Sequence, residues 1–359
     1  MPRLGLHMIV KDEAPVIERC LRSVLPLIDW WVVVDTGSTD GTQDLVRRAL
    51  ADVDGVLLER PWVDFGHNRQ EALDAARALE WVQPGDYTLW IDADDELVDL
   101  PDQLPDLTAD GYHLEVEYGA VRFQRLTVVR LDRPWRWHGP LHEVLELPDA
   151  TLGQLLSPRV RALHEGARSR DPDTYRKDAA VLEEALRHEP DDPRTQYYLG
   201  QSWRDAGELE RALAAFRVRA ANPAGWDQER WYAGYQAACC LERLARPPAE
   251  VAAAYLDAYA AAPSRAEPLV DLARFERLQE RYEVAVLYAR AAGQIPEPAS
   301  DALFVDREAY AWRADDELAV SCYWSGRFEE GLAAAERALS VCPDDERLAA
   351  NVEFCRQRL

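Results

Sequence analysis

Trp30-Trp31-Val32-Val33-Val34 runs without a break into Asp35-Thr36-Gly37-Ser38-Thr39-Asp40-Gly41-Thr42. The five leading residues form an apolar run of strand length. Gly37 and Gly41 permit tight backbone geometry, and the Ser, Thr and Asp side chains satisfy turn amides. Asp40 with Gln43 three residues later predicts a helix N-terminal box. Leu45, Val46, Ala49 and Leu50 then keep a helical spacing. This stretch reads as strand, turn and helix.

The same alternation extends in both directions. Leu4–Val10, Val56–Leu58 and Tyr87–Ile91 are further short apolar runs. Between the first strand and Trp30, the residues Val16, Ile17, Cys20, Leu21, Val24 and Leu25 follow a helical period. Strands alternating with helices predict an α/β domain of parallel β-α units, with a sheet covered on both faces. Ligands in such sheets bind beyond the carboxyl ends of the strands. The loops after Val10, Val34 and Ile91 are therefore where chemistry is expected.

After Ile91 comes Asp92-Ala93-Asp94-Asp95-Glu96, four acids in five residues. Such a cluster repels itself at a strand end unless a cation sits there. Alternation predicts Asp92 and Asp94 on one side, where two carboxylates leave room for waters and phosphate oxygens around magnesium or manganese. Asp35, at its own strand end, suits a ribose hydroxyl or a pyrimidine N–H.

From about Asp171 onward the strand signals vanish and Ala-rich amphipathic helices follow one another. Leu199, Gly200, Trp203, Gly207, Ala212 and Phe216 fall at the offsets of a ~34-residue helical-hairpin repeat. Leu318, Ala319, Gly326, Ala338 and Pro343 repeat it. Leu272, Ala273, Ala285 and Ala292 give a weaker copy, and Arg230–Pro263 a degenerate one turning at Pro247-Pro248. This half is expected to be an all-α tetratricopeptide solenoid, with domains at 1–168 and 169–359.

The bulk numbers limit the function. The 359 residues suit two domains, and 48% hydrophobic with 30% charged residues is a globular composition. A net charge of −24 argues against nucleic acid and anionic membranes. No run approaches the ~18 apolar residues of a membrane span. Cys20, Cys239, Cys240, Cys322, Cys342 and Cys355 lack zinc-type spacing and read as buried thiols of a cytoplasmic protein.

Three motifs in this order, Ile9-Val10-Lys11-Asp12-Glu13, Asp35 to Thr42 and Asp92-Ala93-Asp94, resemble the family-2 glycosyltransferases of the GT-A, Rossmann-like fold. Asp12 departs from that pattern, replacing its more usual asparagine. Phe65-Gly66-His67-Asn68-Arg69 resembles a further segment that touches the nucleotide, with Arg69 a rare cation in an acidic site. Trp137, Gly139, His142 and Glu143 resemble the Trp-x-Gly-x-x-His-Glu signature of the subset fused to tetratricopeptide repeats. The whole is similar to bacterial transferases that glycosylate ribosomally made peptides of the glycocin type.

The resemblance implies a donor such as uridine diphosphate glucose or another uridine diphosphate hexose, with Mn2+ or Mg2+. It implies nucleotide contacts from Lys11, Glu13, Asp35, Thr36, Gly37, Ser38, Asp40, Asn68, Arg69, Asp92 and Ala93. It puts the metal on Asp92 and Asp94, with His164 completing the shell. Glu143 would be the general base of an inverting displacement, with His142 beside it. The repeats would present a peptide or protein acceptor, lined by aromatics such as Tyr197, Tyr198, Trp203, Trp226, Trp231, Tyr232 and Tyr235. The rival readings are a scaffold with an inactive transferase domain and a transferase to lipid-linked or polysaccharide acceptors. Sugar, acceptor and oligomeric state, a homo-oligomer included, are left open.

Overall fold

The structure, a computed structural model, describes residues 3–119, 121–298 and 303–359. The chain divides into two compact units, Met1–Leu182 and Glu183–Leu359.

Unit 1 is built on an eight-stranded sheet. Four strands have the expected places: β1 (Leu4–Val10), β2 (Trp30–Asp35), β3 (Gly55–Glu59) and β4 (Tyr87–Trp90). They lie side by side in the order β3-β2-β1-β4 and all run parallel. Helix α1 (Ile17–Val24) follows β1, α2 (Thr42–Ala49) follows β2, and α3 (Phe65–Arg77) follows β3. Alternate β1 residues Leu4, Leu6, Met8 and Val10 pack with Ile17, Leu21 and Val24 of α1 and Val46 of α2. On the other face Trp30, Val32 and Val34 pack with Ala72, Leu73 and Ala76 of α3. Gly5 makes this possible, since a Cβ there would stand 2.1 Å from the Trp30 indole.

The rest of the sheet departs from the all-parallel expectation. Beyond β4 the order continues β7-β6-β10-β5, with β5 Glu96–Val98, β6 Gly111–Tyr118, β7 Val121–Arg130 and β10 Leu152–Arg161. β7 is antiparallel to both β4 and β6, β10 is parallel to β6, and β5 is antiparallel to β10. The sheet is mixed because β6 and β7 form a hairpin, which needs no crossover helix. A ribbon of β8 (Arg136–His138) and β9 (Val144–Glu146) places Trp137 and Leu145 against the α3 side.

Unit 2 is a series of helical hairpins. After α4 (Thr174–His188), helices α5 (Pro193–Asp205) and α6 (Leu209–Ala221), then α7 (Asp227–Arg243) and α8 (Pro248–Ala261), match the expected copies. So do α9 (Glu267–Leu278) with α10 (Tyr282–Ala292), and α11 (Ala314–Trp324) with α12 (Phe328–Val341), before a final α13 (Glu346–Arg356). The small residue of the repeat has a steric cause: a Cβ on Gly200 would lie 2.5 Å from the Phe216 ring. Asp192 and Asp345 cap α5 and α13 by accepting N–H bonds from Thr195 and Leu348, at 2.8 and 3.1 Å. The aromatics expected to line a groove are mostly core. Tyr197, Trp203, Trp231 and Tyr235 are buried, and of the seven only Trp226 is exposed, at 48%.

All six cysteines are free thiols. Among the described residues no helix is long and apolar enough to cross a membrane.

Candidate active site

The carboxyl ends of β1, β2 and β4 are neighbours because β1 lies between the other two. Strand order reverses its direction of growth there, the place where open α/β sheets hold ligands. Asp35 closes β2 and is buried. Its Oδ1 accepts hydrogen bonds from the Gly37 and Ser38 amides at 3.0 and 2.9 Å and from Gln43 Nε2 at 3.1 Å. Gln43 also donates to the Ser38 carbonyl at 2.9 Å, so it braces the loop rather than closing a box with Asp40. Asp35 Oδ2 is buried with no partner. Among the described residues it is the sole carboxylate oxygen in that condition.

The β1 and β2 loops are stitched together. Thr36 binds the Val10 carbonyl through its amide at 2.9 Å and its hydroxyl at 3.2 Å. Asp12 sits at φ +54°, a left-handed conformation that asparagine also tolerates, and there its amide donates to Ser38 Oγ at 2.9 Å. Asp40 is exposed, but Oδ1 accepts from Thr42 Oγ1 at 2.6 Å and Oδ2 from the Ala14 amide at 2.9 Å. Lys11 is exposed. Glu13 receives the Ala167 amide at 3.1 Å on each carboxylate oxygen. Burial lifts its pKa to about 7, the Ala167 amide opposing and nearby Asp94 adding to the rise.

β4 ends at Trp90, and the next residues turn, the Asp95 amide donating to the Asp92 carbonyl at 3.1 Å. Strand alternation therefore does not set the acids, as the sequence suggested, and Asp92 and Asp94 find different partners. Asp92 binds Arg69 through Oδ1 and Arg125 through Oδ2, the latter at 3.3 Å. Desolvation raises its pKa, but the two guanidiniums outweigh this and hold it below the usual carboxylate value. Asp94 Oδ2 accepts the Gly166 amide at 2.9 Å. Arg69, far from a surface residue, is 6% exposed and reaches Glu143 with Nε.

Residues 6–144 match the family model described as Glycosyl transferase family 2. Unit 1 carries a family 2 glycosyl transferase domain. A TPR repeat-containing protein of Synechococcus elongatus is 35% identical over 156 residues, covering 41% of this chain and 36% of that protein. The glycosyltransferase SunS of Bacillus subtilis is 23% identical over 259 residues, covering 68% of this chain and 60% of its own. The chain thus spans less than two thirds of the length of these relatives. Among solved structures, a TPR protein of Thermus thermophilus aligns at a TM-score of 0.35 and 19% identity, covering 51% of this chain and 91% of that one. The helical repeats follow on from the family 2 domain in the chain.

Within the transferase domain two groups of the expected residues stand out. Asp35, Thr36, Gly37 and Ser38 share one loop with Asp40, while Arg69, Asp92 and Glu143 form one connected ion-pair cluster. Asn68 stands apart: it is fully buried, its amide donating to Pro61 O and Glu71 and accepting from the Val63 amide. It braces the segment before α3, and no atom of it is open to a nucleotide. Ala93 is buried. His142 is exposed at φ +51°, in the loop whose Gly139, at φ +91°, brings its carbonyl against Gly66, where the missing Cβ leaves room for it. His164, also exposed, lies against the Tyr118 ring at 4.2 Å.

Sequence reading missed Arg125 and gave Asp95, though part of the acidic run, no role of its own. Arg125, on β7, binds Asp95 Oδ2 at 3.1 Å as well as Asp92. Asp95 is 3% exposed, and burial with the neighbouring Asp92 charge raises its pKa to about 7 against the pull of Arg125. Arg125 comes from a distant strand, so no local pattern marks it. Among the described residues no three His, Cys, Asp or Glu side chains converge to hold a metal. Asp94 Oδ1 carries no hydrogen bond among those residues, so Asp94 fits a metal that brings most of its own oxygen ligands.

Proposed function

We propose that this chain is an inverting glycosyltransferase that moves a hexose from a uridine diphosphate sugar to a peptide or protein side chain. The observation that carries the reading is Asp35 Oδ2, a buried acceptor without a donor at the carboxyl end of β2. Burying an unpaired carboxylate oxygen is costly unless a ligand supplies the hydrogen bond. A uracil N–H or a ribose hydroxyl meets that need. Because both Asp40 oxygens are already taken, one by Thr42 of its own loop and one by Ala14 of the β1 loop, the base is assigned to Asp35.

Arg69 and Arg125 fix Asp92 at the rim of this crevice, and Asp94 with its unbonded oxygen would hold Mn2+ or Mg2+, flanked by Asp92 and His164. Such an ion would supply neutralisation of the diphosphate leaving group. Lys11, exposed beside the loop, adds positive charge for the phosphates. Glu143 accepts the proton of the attacking hydroxyl or thiol. The new bond forms at the anomeric carbon as its bond to the diphosphate oxygen breaks on the opposite face. Unit 2 supplies the surface that positions the acceptor, since stacked helical repeats present extended grooves.

The test is hydrolysis of a panel of nucleotide sugars by the full chain with Mn2+. Uridine diphosphate glucose or another uridine diphosphate hexose should be consumed, and Asp35→Asn should lose the preference for uridine. A full chain that neither hydrolyses nor binds any of the panel would overturn the assignment.

A further inference from the structure

Four carboxylates, Asp92, Asp94, Asp95 and Glu143, lie at or near the end of β4, and two guanidiniums stand among them. Arg69 and Arg125 both lie over Trp90, each 4.5 Å from its ring centroid, and Arg69 also lies 5.3 Å from Trp137. Planar guanidiniums stack on indoles and fork to carboxylates, which an ammonium does less well. The stack fixes both cations where an ion would otherwise relieve the acidic turn. Asp92 has both oxygens committed to them. Asp95 gives Oδ2 to Arg125 and Glu143 gives Oε1 to Arg69. Asp94 makes no ion pair with either guanidinium among the described residues, its Oδ2 accepting the Gly166 amide, and Asp95 and Glu143 each keep their second oxygen outside this network.

We propose that Arg69 and Arg125 hold the place of a cation, so that the turn at Asp92–Asp95 takes no divalent metal by itself. Metal then enters only with a diphosphate, whose oxygens supply the ligands that the paired carboxylates withhold. The first statement stands on the ion pairs alone, whereas the second rests on the transferase reading. Arg125 is accordingly a positioning residue for Asp92. Its loss would free one Asp92 oxygen and one Asp95 oxygen beside Asp94, making a group of acids that the described residues of the wild-type chain do not form.

The experiment titrates Mn2+ into the full chain without nucleotide, read by calorimetry and by the Mn2+ spin-resonance signal. Wild type should show no site, while Arg125→Gln should gain one at least about tenfold tighter than anything in wild type. Arg125→Lys, which keeps the charge but not the fork, should show at most a site much weaker than that of Arg125→Gln, and a folded Arg125→Lys that binds Mn2+ as tightly as Arg125→Gln would overturn the charge of Arg125 as the cause. Should Arg125→Gln fail to fold, Arg125→Met with Asp95→Asn replaces the pair by neutral groups and should still gain Mn2+ affinity through Asp92. Equal Mn2+ binding in wild type and in the folded variants would overturn the proposal. A second arm adds uridine diphosphate to wild type, where nucleotide and Mn2+ should each tighten the other. Nucleotide that binds without this synergy overturns metal entry with the diphosphate. A chain that binds no nucleotide at all fails the transferase reading instead, and the titrations without nucleotide still judge the arginines.

Discussion

In unit 2 the buried carboxylates are spent inside the fold, whereas unit 1, among the described residues, leaves one buried carboxylate oxygen unspent. Asp271 accepts from the Tyr235 hydroxyl and from Arg313, and Glu267 from Arg265 and the Tyr310 hydroxyl. Asp316 is held by Arg347 and Asn351. Each pair joins helices or loops of the repeat array, so these charges serve packing. At the end of β2, Asp35 holds its own loop with Oδ1 and presents Oδ2 to nothing. Similar acids at similar burial thus separate by whether the chain supplies the donor. A completed pair marks architecture, and an incomplete one marks a place for a ligand.

The contrast reaches acid stability, where the largest effect is expected. His7 is buried on β1, with Nδ1 2.9 Å from Thr88 Oγ1 and Nε2 without a partner. Burial above all, with Arg69 and Arg77 adding, lowers its pKa from 6.5 to about 3. The unfolded chain therefore takes up a proton that the folded chain refuses through that window. The His7 contribution to stability should be full above about pH 6.5 and be lost as pH drops, by on the order of several kcal/mol near pH 3. Unit 2 has a single histidine, His188, which is exposed. Unfolding followed against pH should show unit 1 yielding first and His7→Asn flattening the loss. Parallel curves for His7→Asn and wild type would remove His7 as the cause.

Next in size is the Arg69–Glu143 pair, where architecture and chemistry meet. Glu143→Gln should lower transfer by ~100-fold with little change in KM if this carboxylate takes the acceptor's proton. A raised KM at unchanged kcat would reduce Glu143 to a support for Arg69, the role that its counterparts in unit 2 fill.

Asp35→Asn should weaken uridine nucleotide binding by about 1.5–3 kcal/mol, because the amide replaces the open acceptor by a donor. Asp40→Asn should cost less in binding, since its oxygens already serve Thr42 and Ala14. Isothermal titration of both variants compares them directly. A larger loss from Asp40→Asn would move the base contact to Asp40.

The sequence made β1 to β4, their helices and the acidic turn legible because each is a local pattern bounded by glycine or acid. The hairpins of unit 2 were legible for a steric reason, since Gly200 must be small beside Phe216. The antiparallel half of the sheet carried a weaker signal. Tyr112, Leu114 and Val116 do alternate into the core, but β7 begins with Arg122 and Arg125 among its apolar residues, which breaks the pattern. Pairing of β7 with β4 is not a local property, and neither is the reach of Arg125 to Asp92, 33 residues away in the chain. Asn68 was found by its motif, yet burial gave it a bracing role that no motif specifies.

The smallest effect tests whether unit 2 is governed by packing alone. Alanine is favoured over glycine in a helix by about 1 kcal/mol, so an unobstructed Gly→Ala change stabilises. Gly234 in α7 is unobstructed, for a Cβ there would meet only the Ala220 methyl, at 3.9 Å. Gly200 in α5 is not, because its Cβ would press on the Phe216 ring, which is itself fully buried. Overpacking of that kind costs about 1–3 kcal/mol, enough to reverse the sign. Gly234→Ala should therefore raise the melting temperature of the full chain's unit 2 transition, and Gly200→Ala should lower it. Neither should alter nucleotide affinity, since neither residue touches a polar group that lacks a partner. Stabilisation by both substitutions would mean that α5 and α6 sit further apart than the Gly200–Phe216 contact requires. A change in nucleotide binding with either would mean that unit 2 carries part of the donor site.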